Sequence, residues 1–176
     1  MLISLHNRYS ASDLGALGER KARLTGEIAL SQLTRLRKLL YVYSGSVKAS
    51  IVFSQQGDNC VTLELDYETE LELVCQRCLE PFTQEICEHT SVALELSSSS
   101  WPSKVNDYEL LMLPDDRFSP SALIEDELIV SVPLAPVHFP EDRCGSLIKR
   151  LKNSVDCLTT QPQTSLVAEN NLGVIK

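Results

Sequence analysis

Cys75-Gln76-Arg77-Cys78 is the segment best equipped for chemistry, because two thiolates at this spacing either chelate zinc or close a redox disulfide. A redox pair of the thioredoxin kind relies on a helix N-terminus to lower one thiol's pKa, whereas here the sequence alternates like a strand on both sides. Arg77 offers only modest activation. A closed structural zinc site takes four Cys or His ligands, commonly from two places in the sequence. His138 and Cys144 form the later group, so Cys75, Cys78, His138 and Cys144 make a candidate Cys3His site for one structural zinc. Two other readings stand beside it: a thiol-redox protein centred on Cys75 and Cys78, and four side chains that merely pack. Cys60, Cys87 and Cys157 fit no ligand spacing.

A second constellation is electrostatic. Arg20, Lys21, Arg23, Arg35, Arg37 and Lys38 put six positive charges into nineteen residues, with Glu27 as the acidic exception. That density suits either phosphate contact or an ordinary solvated surface, with Tyr41 and Tyr43 the nearby aromatic residues. Residues 1–60 carry eight Lys or Arg against four Asp or Glu, and residues 61–145 carry four against eighteen. The net charge of −8 therefore averages two regions of opposite sign, one able to meet RNA and one able to meet a basic protein.

Other reaction classes find no motif. There is no Gly-x-x-x-x-Gly-Lys-Ser/Thr loop, no Gly-x-Ser-x-Gly elbow and no His-Glu-x-x-His helix, and Gly15-Ala16-Leu17-Gly18 is too short for a dinucleotide site. Glu125-Asp126-Glu127 reads as helix-start electrostatics, since consecutive helical residues point apart and do not converge on a cation. The expectation is a non-enzymatic protein.

These groups need elements to position them. Lys21–Leu30 predicts an early strand. Ser31 ahead of Leu33, Leu36 and Leu40 predicts a short basic amphipathic helix. Val47, Ala49, Ile51 and Phe53 mark a half-buried strand, and Gln56-Gly57-Asp58-Asn59 a turn. The clearest alternation runs from Val61 to Val74, apolar at odd positions and acidic or polar at even ones, a strand with one dry and one anionic face. The Cys-x-x-Cys forms the turn before a strand through Phe82, Ile86, Thr90, Val92, Leu94 and Leu96. Ser97–Ser103 reads as a flexible connection and Tyr108–Leu113 as a short strand. Ser119-Pro120 predicts a capped helix through Val132, ended by Pro133 and Pro136.

The fold class expected is α+β, a mostly antiparallel, strongly twisted sheet with two short helices. One domain spans residues 1–150, and residues 151–176 read as a disordered, flexible C-terminal tail. The 43% hydrophobic content is that of a globular chain able to bury a core. No run approaches a membrane span, and the N-terminus lacks the order of a signal peptide, so a cytoplasmic protein with no membrane partner is expected.

Cys75-Gln76-Arg77-Cys78-Leu79-Glu80-Pro81-Phe82, followed by Glu125-Asp126-Glu127-Leu128-Ile129-Val130-Ser131-Val132-Pro133-Leu134-Ala135-Pro136-Val137-His138, resembles the YceD family over roughly residues 20–145. The resemblance implies an accessory factor in ribosome biogenesis, supporting synthesis, processing or stability of large-subunit (23S) ribosomal RNA. Its implied partners are ribosomal RNA or pre-ribosomal particles, and it brings no catalytic residue; the acidic strand and helix are available to basic ribosomal proteins, and a protein-interaction module without RNA contact is the alternative. Many members carry a second Cys-x-x-Cys after the Pro-rich segment, which would complete a four-cysteine zinc site. This chain has His138-Phe139-Pro140-Glu141-Asp142-Arg143-Cys144 there, as do the relatives it most resembles.

Overall fold

In a computed structural model, the structure describes residues 4–56, 60–96, 108–111, 117–140 and 143–145. The chain opens with strand β1 (Tyr9–Ser10) and helix α1 (Ala11–Glu19). Ser10 caps α1 in a reciprocal box with Asp13, and the Leu14 and Leu17 side chains are buried. This helix was not expected, because its two glycines hide a stripe only one turn long. Gly18 is what lets it approach the sheet: a Cβ there would lie 3.1 Å from Val61 Cγ2 and 3.3 Å from the Gln55 backbone nitrogen.

The main sheet has five strands in the order β2 (Arg23–Ala29), β3 (Ser46–Gln55), β4 (Cys60–Val74), β5 (Pro81–Glu95) and β6 (Glu109–Leu111). Strands β2 to β5 pair antiparallel, while β6 joins β5 in parallel. A separate antiparallel pair joins β1 to β7 (Arg117–Phe118). The predicted strands thus form a mostly antiparallel α+β fold. Register follows the alternation: Ile51 faces Leu65, Phe53 faces Leu63, and Leu63 faces Val92, all with buried side chains. The even positions Glu64, Asp66, Glu68, Glu70 and Glu72 are exposed as an acidic row. The expected loops at residues 57–59 and 97–103 and the tail at 151–176 lie outside the described residues.

The basic helix expected over Ser31–Leu40 is corrected to two single 3-10 turns, Leu30–Gln32 and Leu36–Lys38. The reason lies in helix α2 (Pro120–Ser131). The Glu125 carboxylate accepts the backbone N–H groups of Arg35 at 2.6 Å and Leu36 at 3.2 Å, so neither amide closes an α-helical bond four residues back. Leu33 and Leu36 still point inward and are buried, as their spacing required. The reading of Glu125, Asp126 and Glu127 as helix-start charges is also corrected, since α2 begins at Pro120 and its first turn carries no acidic residue. Ser119 has the extended backbone of an N-cap, but its hydroxyl meets the Ser121 hydroxyl instead of a helix amide.

Candidate metal centre

Residues 75–80 form a tight knuckle between the ends of the longest hairpin, where Val74 still pairs with Pro81. The knuckle is closed by the Cys75 amide donating to the Glu80 carbonyl at 3.0 Å and the Leu79 amide to the Cys75 carbonyl at 2.9 Å. To make that reversal Leu79 takes a left-handed backbone, φ 61°, with its side chain exposed. The segment after α2 is laid across the knuckle by two bonds: the Gln76 amide donates to the Pro136 carbonyl at 2.8 Å, and Arg77 Nη2 to the His138 carbonyl at 2.6 Å. Phe82 packs its ring against that of His138, centroids 4.9 Å apart.

These contacts bring Cys75, Cys78, His138 and Cys144 together, with one ligand atom from each inside a span of 4.8 Å. Cys75 Sγ and Cys144 Sγ are 3.9 Å apart, Cys78 Sγ and His138 Nδ1 3.3 Å, and Cys144 Sγ and His138 Nδ1 3.8 Å. Tetrahedral coordination with Zn–S near 2.3 Å and Zn–N near 2.0 Å places such ligands about 3.5–3.8 Å from one another. All three thiols are buried. The group is therefore positioned to hold a metal ion.

Its electrostatics point the same way. Burial raises the cost of a Cys75 thiolate, but hydrogen bonds from the backbone around Cys78, His138 and Arg77 outweigh it and hold the thiol down at about 5. Cys144 is pushed up to about 11, first by burial and then by the neighbouring Cys75 and Cys78 sulfurs. Negative charge on this group thus suppresses further ionisation nearby. A divalent cation removes that conflict, since it stabilises several thiolates at once.

The six cations proposed for RNA do not form one face. Arg20 and Lys21 follow α1, and Arg23 begins β2, where its Nε donates to Ser50 Oγ at 2.9 Å. Arg37 and Lys38 lie beyond the far end of β2, roughly 20 Å along the strand at about 3.3 Å per residue. Arg35 is held by α2, with its guanidinium 3.1 Å from Glu125 Oε2 and 2.5 Å from Asp126 Oδ1. Arg37 sits over the Tyr43 ring, 5.5 Å from its centroid. Glu125 is the residue that sequence reasoning missed. Its signal was position: it lies three residues before Leu128 on the buried stripe of α2, where a carboxylate requires partners.

Among the described residues no helix is long and apolar enough to cross a membrane. No solved structure matches the chain. The family model "Large ribosomal RNA subunit accumulation protein YceD" matches residues 63–162, a stretch that holds all four residues of the metal centre. The Large ribosomal RNA subunit accumulation protein YceD of Haemophilus influenzae is 27% identical over 131 residues, covering 70% of this chain and 71% of that protein. With more than half of its length matched by that model, the chain belongs to the YceD family.

Proposed function

We propose that this protein is a non-enzymatic accessory factor in ribosome biogenesis, acting in the accumulation of large-subunit ribosomal RNA. The family match carries this reading, and the site supports its non-catalytic part. Cys75, Cys78, His138 and Cys144 would hold one zinc ion as a closed four-ligand set, which suits a structural ion; a catalytic zinc keeps a coordination position open. When bound, the ion pins the segment after α2 to the tip of the β4–β5 hairpin. A thiol-redox role is the weaker reading, because Cys75 is 0% exposed and a partner's disulfide must reach the attacking sulfur.

RNA contact in this proposal falls to Arg37 and Lys38, with Arg20, Lys21 and Arg23 as a separate cluster, since Arg35 is committed to α2. The exposed acidic row of β4 is the surface suited to a basic ribosomal protein. The test has two arms. Cells lacking the protein should show a lowered ratio of large- to small-subunit ribosomal RNA, restored by the parent gene and not by one carrying Arg37→Glu and Lys38→Glu. Native mass spectrometry of protein purified without chelator should find one zinc per chain, lost in Cys75→Ser and in Cys144→Ser. An unchanged ratio in deleted cells refutes the ribosomal role, and a folded parent free of metal refutes the zinc.

A further inference from the structure

We propose that Tyr41 and Tyr43, flanked by Arg37 and Lys38, form a stacking platform for single-stranded RNA; this rests on the RNA reading above and gives it a site. Two other tyrosines have structural work. Tyr9 is buried and donates its hydroxyl to the Ser4 carbonyl, and Tyr67 is buried with its hydroxyl 2.7 Å from that of Ser131. Tyr41 and Tyr43 instead stand 57% and 50% exposed on a short connection between the second 3-10 turn and β3. Exposed rings cost little conformational entropy to dock, and every nucleobase has a face to place on them.

The connection is held at both ends. On one side the Leu39 amide donates to the Leu36 carbonyl at 2.8 Å, Leu36 is fully buried, and the Arg35 and Leu36 amides are fastened to Glu125. On the other, the Tyr41 amide donates to the Glu72 carbonyl at 2.7 Å, and Val42 bridges Glu72 on β4. A platform already ordered in the free protein spares the entropy of ordering it on binding.

The charges select the ligand. Arg37 sits over Tyr43 and Lys38, the next residue in the chain, is exposed, and neither makes an ion pair among the described residues. Cations beside exposed rings match a phosphate backbone with accessible bases. They repel a basic protein. A duplex is disfavoured on two counts: its bases are stacked away from the rings, and its broad phosphate surface would meet the acidic row of β4, which reaches the platform at Glu72.

The measurement is fluorescence anisotropy of a labelled mixed-sequence RNA of about twelve nucleotides, and of a duplex of equal length, titrated with the full chain at low and moderate salt. Tyr41→Ala and Tyr43→Ala should each weaken single-strand binding at least about fivefold, as expected for losing one stacked base. The paired Tyr→Phe variant should stay within about twofold of the parent, because it keeps both rings. Lys38→Ala should lower the salt slope by about 0.7, whereas the Tyr→Ala variants should leave it unchanged. A parent that binds RNA but tolerates the double Tyr→Ala change overturns the platform and leaves RNA binding to other residues. A parent that binds no RNA overturns both readings. Equal affinity for duplex overturns the single-strand assignment.

Discussion

Replacing Glu125 by alanine tests whether a single buried carboxylate holds the segment from Arg35 onward in place. The side chain is largely buried and accepts two backbone amides, of which the Leu36 bond is itself buried. A hydrogen bond to a charged group contributes about 1.5–3 kcal/mol, and a buried amide left without a partner costs about 1–3 kcal/mol. The ion pair adds little, because the Arg35 side chain is 51% exposed and water screens it. A partly hydrated Arg35 amide recovers some of the loss, so Glu125→Ala should destabilise the fold by about 2–4 kcal/mol. Asp126→Ala removes only the exposed half of the clamp and should cost at most about 1 kcal/mol. Glu125→Gln keeps one acceptor oxygen and should fall between them. Urea unfolding followed by circular dichroism, with metal content held equal and the slope checked for constancy, measures all three. If Glu125→Ala loses less than about 1 kcal/mol, or Asp126→Ala loses as much, the carboxylate does not hold this segment.

Leu79→Gly should stabilise the protein by about 0.5–1 kcal/mol in urea, because it releases a left-handed backbone at an exposed position; Leu79→Ala, which keeps the Cβ, should gain nothing. Gly18→Ala should lower stability by about 1 kcal/mol, as the clash with Val61 and the Gln55 backbone exceeds the gain in helix propensity. Gly15→Ala, whose Cβ meets only Leu96 Cδ1 at 3.7 Å, should raise stability by about 0.5–1 kcal/mol, and thermal melts that rank the two alike would contradict this account of α1. The Asp13 carboxyl is held below its ordinary range, first by the Ser10 hydroxyl and then by the Ser10 amide. A depressed folded value means the cap's contribution is complete above the ordinary carboxylate pKa and disappears as pH falls through the lower folded value. Amide exchange in α1 should accelerate over that acid range in the parent, and Asp13→Asn should remove the dependence.

Much of the sheet and the four-residue centre were legible along the chain. The alternation of Val61–Val74 set that strand's faces, since a one-residue slip would have exposed every leucine of the odd row. Cys75 and Cys78 stood out by spacing as a candidate knuckle, and His138 and Cys144 joined them as candidates because a closed zinc site takes four ligands; the fold brings the four together. Helix α1 was hidden because nine residues hold only about two and a half turns, and its glycines became informative only against Val61 and Gln55.

What the sequence determined, then, are the features carried by local period and residue type: the long strands, the start of α2 at Pro120 and the Cys and His residues of the candidate centre. Tertiary structure decided the destination of groups whose partners are far along the chain. A 3.6-residue spacing put Leu33 and Leu36 inward but could not show that Glu125, some ninety residues on, would take the amides a helix needs. It listed six cations in nineteen residues but not that β2 would separate them or that Arg35 would be claimed by α2. Backbone periodicity acts over a few residues, whereas a buried charge is answered by whichever donors the fold brings to it.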